Sequence, residues 1–266
     1  MATCFSQHRG PVEPLDNTGF WRFLSGMKRL VAASLSFALL LSITRGADSA
    51  AAKKTDTKTA AAADSSDTST NKPDIKQLMQ DPLFTNSSGM VMIKISPTLW
   101  ASKYLVTQDV YQKVTGGNPS QFRGDLNPVD SVSWDDAKAF CDSLNAAEKK
   151  EDMLPEGYDY SLPTQAQWDS FAAGSPLSAA VTSVGTRRNG TAPVGSLAAS
   201  GQGLYDVRGN VWQWCADPDD KPYRVLRGAA WDTWIEINLR PEFRWFSDGP
   251  SDKKNTFGFR VVLKQS

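Results

Sequence analysis

The sequence predicts an α+β domain with a large share of irregular loop, and three observations carry that expectation. Two segments, Ser133-Trp134-Asp135-Asp136 and Thr164-Gln165-Ala166-Gln167, place a hydroxyl three positions before an acid or amide and continue with apolar residues at helical spacing. The run Met90-Val91-Met92-Ile93-Lys94-Ile95 has the composition of a strand. The third observation is Gly203 to Trp214, an aromatic-rich stretch interrupted by Arg208-Gly209-Asn210, where Gly permits positive φ and Asn tolerates it. There Trp212 and Trp214 should face one side of an extended segment and Val211 and Gln213 the other, a bend ending in a large apolar anchor.

In chain order, residues 1–47 read as an export region. Met27-Lys28-Arg29 is basic, Leu30 to Ile43 is apolar but short for a bilayer span, and small residues follow at Gly46-Ala47. This places the rest of the chain outside the cytoplasm, in a periplasm or extracellular space, or tethers it to a membrane if the signal is not cleaved. The 26 residues before Met27 leave two starts open, Met1 with a long basic region or Met27 itself. No Cys follows at a lipid-attachment position. Residues 48–74 are Ala, Lys, Thr, Ser and Asp with almost no branched aliphatic side chain, which predicts a disordered linker. Residues 75–266 then form one domain.

That domain should open with a short helix near Ile75 to Leu83 and a first strand at Met90 to Ile95. The helix after Ser133 buries Trp134, Ala137, Phe140, Cys141 and Leu144, and the one after Thr164 buries Trp168, Phe171 and Ala172 and stops at Gly174. Nine Trp suit a loop-rich fold, since each ring buries much apolar area where long regular elements are lacking. Asn86-Ser87-Ser88 and Asn189-Gly190-Thr191 fit the glycosylation pattern of secreted chains.

Composition excludes several chemistries. With 29 basic against 29 acidic residues the chain gives no basis for a nucleic-acid partner. Its one His, His8, precedes the signal, so the domain has no imidazole for a Ser-His or Cys-His pair or a histidine-ligated metal. Cys4 is likewise upstream. Cys141 and Cys215 remain, as a disulfide in an oxidising compartment or as two buried thiols.

Four runs in order carry a family resemblance: Asn127-Pro128-Val129-Asp130-Ser131-Val132-Ser133-Trp134, Leu162-Pro163-Thr164-Gln165-Ala166-Gln167-Trp168, Gly203 to Trp214, and Arg224-Val225-Leu226-Arg227-Gly228 with the closing Gly258-Phe259-Arg260-Val261-Val262. Together they resemble the formylglycine-generating enzymes, or sulfatase-modifying factors. The resemblance implies a C-type-lectin-like fold of twisted antiparallel strands with two helices, and it makes Tyr104 to Tyr111 the segment leading into the first helix. It also implies where catalysis should sit, at a cysteine pair five positions apart that binds copper. Those positions are Thr233 and Asn238 here, and the neighbouring Gly and Ser are Ala229 and Ala230, so neither the oxidase reaction nor a copper, heme or iron site is expected.

Calcium is the remaining cofactor that the resemblance implies. The loop for a first ion, between Gly174 and Gly201, is abbreviated. A second set maps onto Asp206, the carbonyls of Gly209 and Val211, and Gln213, with Gln where the family has Glu. Either a weak calcium site or a purely hydrogen-bonded turn fits these residues. The family's substrate groove maps onto Trp231, Asp232, Trp234, Glu236, Arg240, Glu242, Arg244 and Trp245. So many ionisable groups must reach water, and rings beside Arg make a recognition surface for an extended peptide, a carbohydrate or another exported protein. The sequence thus predicts a binding or scaffolding module without the catalytic cysteines. The alternative is an enzyme of altered chemistry in the same cleft, which would need a carboxylate such as Asp232 or Glu236 with a shifted pKa.

Overall fold

The computed structural model describes residues 75–183, 185–218, 223–247 and 249–266. The expected export region and linker lie outside these residues. The domain begins with α1 (Ile75–Leu78), β1 (Leu83–Thr85), β2 (Val91–Ser96) and β3 (Leu99–Ser102). Helices α2 (Gln108–Thr115) and α3 (Trp134–Lys150) follow, then β4 (Tyr158–Ser161) and α4 (Gln165–Ala172). After a long loop come β5 (Trp212–Pro218), β6 (Arg224–Arg227), a 3-10 turn at Glu236–Leu239, β7 (Trp245–Phe246), β8 (Phe257–Gly258) and β9 (Val262–Gln265).

Two sheets result. The first has the order β1-β2-β3-β9-β4, antiparallel throughout, with β9 paired to β3 on one side and β4 on the other. The second has the order β7-β6-β5-β8, where β5 and β8 run parallel and the other pairs antiparallel.

Both capping boxes form as the sequence predicts. Ser133 Oγ accepts from the Asp136 amide at 3.1 Å while the Asp136 carboxylate accepts from the Ser133 amide at 2.9 Å. Thr164 and Gln167 repeat the exchange at 3.1 and 2.9 Å, so each first turn loses two orphan donors. Trp168, Phe171 and Ala172 are buried on α4, as are Ala137, Phe140, Cys141 and Leu144 on α3, with Trp134 half-buried.

Two expectations need correction. Met90 to Ile95 is not the first strand: α1 stops at Leu78, and β1 precedes β2 through Leu83↔Ile93 and Thr85↔Val91 pairing. A three-residue strand with only Phe84 buried has too little pattern to read. Helix α2, two turns long, forms where the resemblance placed the first helix and ends where Gly116 takes φ 84. Asn86, finally, is buried and its Oδ1 accepts from the Met90 amide at 2.9 Å, which closes the β1–β2 turn and denies the side chain to a glycan; Asn189 is exposed.

Strand β5 divides the interior. Trp212 and Trp214 face a cluster with Phe140, Leu144, Phe257 and Phe259, while Cys215 belongs to a second cluster with Trp168, Phe171, Leu204 and Val225. The period-two alternation is therefore present, but each side of the strand meets a core instead of one side meeting water. Cys141 lies in the first cluster and Cys215 in the second, and no disulfide joins them. The α3 N-terminus is fixed to β5 from both sides: Trp214 Nε1 donates to Val132 O at 3.0 Å, and Trp134 Nε1 to Cys215 O at 2.8 Å.

Candidate functional site

The segment after β6 is pinned to the domain at alternate points and presents what lies between them. Trp231 Nε1 donates to Asn255 O at 3.2 Å, and its ring meets Phe122 edge-on at 5.2 Å. Leu239 is buried in the first core, and Phe243 packs on Trp212 with centroids 5.9 Å apart. Arg227, fully buried under the Trp168 ring, bonds the Asp169 carboxylate and Pro241 O, tying α4 to the same segment.

Between these anchors large apolar side chains are exposed among charged ones. Trp234 is 73% exposed, Ile237 53% and Phe246 52%, with Ile235 and Trp245 at 39% each. Apolar side chains of this size so close together on a surface mark an interaction site more often than an inert face. The ring of Trp245 leans on Trp212 at 5.8 Å, and Lys254 Nζ lies 5.7 Å from its centre. Both residues of β7 are exposed, and β7 is the edge of its sheet.

The charged residues of the segment divide in the same way. Arg244 is held, its Nε donating to Gln165 Oε1 at 2.6 Å and its Nη1 to Glu242 O at 2.8 Å. Arg240 is exposed, and its guanidinium has no hydrogen-bond or ion-pair partner among the described residues, although its backbone bonds Ile237 O and the Phe243 amide. Partial burial pushes the Asp232 carboxyl upward, opposed by the nearby Lys254 charge. Sequence reasoning found the rings and charges here but missed Ile235, Ile237 and Phe246, which have the composition of core and carry no local signal of exposure.

Cavities of about 320, 650 and 230 Å³ are lined by other parts of the chain, around Leu105 and Leu126, around Phe122 and Arg188, and around Trp134 and Leu162 respectively. At the positions where the resemblance places thiols, Thr233 is buried and its Oγ1 accepts from the Ala230 amide at 3.1 Å. Its carbonyl accepts from Ser183 Oγ at 2.9 Å. Asn238 sits in the 3-10 turn. Ala229 adopts φ 68, a conformation that suits the glycine it replaces.

The Gly203–Trp214 turn is a closed polar network. Asp206 accepts from the Gly195 amide at 2.7 Å and from Asn210 Nδ2 at 3.2 Å. Burial pushes its carboxyl upward, opposed by these bonds and by the Arg260 charge. Gln213 Nε2 donates to Val207 O at 2.9 Å and Asp206 O at 3.2 Å, while its Oε1 accepts from Trp168 Nε1 and Arg260 Nε, each at 3.3 Å. Arg260 is fully buried and also donates to Ser102 O and Tyr205 O. Gly209 and Val211 are buried in the same turn. A calcium ion needs free oxygen lone pairs, and here the Gln213 oxygen already accepts from two N–H groups. Of the four members of that donor set, Gln213 is the one whose oxygen does not fit the ion as folded. Arg260 stood in a quoted motif, but its role arises only from partners 47 to 158 residues away.

Comparison with known proteins agrees with this architecture. Among curated relatives, "Chaperone protein LppX" of Paenibacillus barcinonensis is 29% identical over 61% of this chain and 79% of its own length. "Inactive C-alpha-formylglycine-generating enzyme 2" of Bos taurus is 32% identical over 64% of this chain and 60% of its own. The "Formylglycine-generating enzyme" of Thermomonospora curvata is 32% identical over 43% of this chain, so the chain spans less than two thirds of the latter two proteins. Two solved structures share the fold at TM-score 0.55: Treponema denticola variable protein 1, 22% identical over 62% of this chain and 84% of its own, and PvdO from Pseudomonas aeruginosa, 20% identical over 69% and 99%. The sulfatase-modifying factor enzyme 1-like domain matches residues 80–265, most of the described fold. The chain belongs to the family of the formylglycine-generating enzymes.

Proposed function

We propose that this domain is a non-catalytic member of its family that acts outside the cytoplasm by binding extended peptide segments of other exported proteins. The observation that carries the reading is the set of exposed apolar side chains from Trp234 to Phe246, held on an anchored scaffold beside the unpartnered Arg240 guanidinium. A peptide suits this surface better than a sugar. The edge strand β7 has main-chain groups free for strand addition, its flanking rings can hold alternate side chains, and a planar guanidinium can clamp a carboxylate or a carbonyl. The basic and apolar signal at Met27 to Ile43 supports the exported setting.

The test is a peptide array of exported-protein sequences probed with the full chain and two variants. Peptides retained by wild type should be lost or weakened at least roughly tenfold by Trp234→Ala and by Arg240→Ala, the range for anchor residues at an interface. Neither substitution should shift Tm appreciably, because both side chains lie in solvent. Binding that survives both variants would place the recognition surface elsewhere.

Loss of the oxidase reaction is a separate expectation. A thiolate pair is needed to hold copper(I), and Thr233 and Asn238 supply a hydroxyl committed to a turn and a neutral amide. Incubation with copper, oxygen and a cysteine-containing sulfatase peptide should give no aldehyde by mass above a metal-only control. Turnover in that assay would return the domain to the enzymes.

A further inference from the structure

We propose that the amide of Gln213 takes the place of a divalent cation in the Gly203–Trp214 turn, and that this one side chain makes the fold independent of calcium. The orientation of the amide is fixed by its partners. Trp168 Nε1 and Arg260 Nε can only donate, and the carbonyls of Asp206 and Val207 can only accept, so Oε1 must face the first pair and Nε2 the second. Both ends of the amide are thus used inside the turn, and its oxygen has no lone pair left to offer an ion.

Space and charge agree with this assignment. A Cβ added at Gly228 would come within 2.8 Å of both Gln213 Nε2 and Val207 O, so the amide is packed closely against the backbone that follows β6. The positive charge is already present as Arg260, buried without exposure and coupled to the Asp206 carboxylate. A doubly charged ion inserted here would share a low-dielectric interior with that guanidinium. A carboxylate at position 213 would reverse the logic. It would keep its attraction to Arg260 but turn an unprotonated oxygen toward two carbonyls, an arrangement that a cation relieves.

The experiment measures stability of the full chain, so it stands or falls separately from the peptide-binding proposal. Wild type should unfold at the same temperature in chelator and in millimolar calcium, and titration with calcium chloride should give no binding heat. Gln213→Glu should unfold at a lower temperature in chelator and recover with calcium, but not with magnesium at equal ionic strength. A calcium-selective rise in wild-type Tm overturns the proposal, and so does a Gln213→Glu chain that calcium leaves unchanged. Should that variant fail to fold, Gln213→Met removes the donors without adding charge. It should unfold earlier than wild type and equally in both buffers, and a wild-type Tm for Gln213→Met also overturns the assignment.

Discussion

Replacement of Arg260 by Met is expected to destabilise the domain by about 3–5 kcal/mol, enough to leave much of it unfolded in an ordinary preparation. The guanidinium joins the end of β3 through Ser102 O, the turn through Tyr205 O and β5 through Gln213 Oε1. Its loss takes a donor from three interior acceptors, of which Gln213 Oε1 keeps Trp168 Nε1, and leaves the Asp206 carboxylate without its neighbouring positive charge. Burial pushes the Arg260 pKa down to about 10, with Asp206 opposing, so the group is still a cation at neutral pH and its charge is part of the structure. Lys in its place would keep the charge but not the three-way fork, and should recover only part of the loss. Urea unfolding of purified variants is the measurement. An Arg260→Met chain within about 1 kcal/mol of wild type would show that the network is not what holds the turn.

Gly209→Ala should cost about 2–4 kcal/mol, the sum of a backbone term and an overpacking term. Gly209 takes φ 77, and a Cβ there would lie 2.5 Å from Val181 O and 2.6 Å from Val181 N. Those atoms are main chain, bridged to the turn by Asn210 N donating to Val181 O at 2.8 Å, so they cannot rotate away as a side-chain tip could. Gly89→Ala separates the two terms. Gly89 has φ 91 but open space around its missing Cβ, and the same substitution there should cost only about 1 kcal/mol. Equal losses at the two sites, measured by chemical denaturation, would mean that crowding against Val181 contributes nothing.

What the sequence revealed and what it hid follow from the range of the interactions. The capping boxes at Ser133 and Thr164 were legible because donor and acceptor lie within four residues. The alternation of Trp212 and Trp214 was legible for the same reason, although one sequence cannot say that a strand separates two cores. Helix α2 was marked only by resemblance, and β1 not at all, because each depends on partners brought in by the sheet. The polar turn was legible as a ligand set but not in its outcome. Whether Gln213 faces an ion or two carbonyls depends on Trp168 and Arg260, residues 45 and 47 positions away. The exposed run hid for the opposite reason: Ile235, Ile237 and Phe246 look like core, and only the packing of Leu239 and Phe243 beneath them shows which residues were left outside.

The position of β9 sets the order of events in the life of the chain. Because Val262–Gln265 lies between β3 and β4, the five-stranded sheet cannot close until the chain has been made through that strand, some 160 residues after β3. Earlier strands can only wait as a local meander, and pairing across so long a loop is slow. The last strand to be made is therefore the one that joins the two halves of the sheet, and a chain ending before Val262 would leave β3 and β4 facing each other across an unfilled gap.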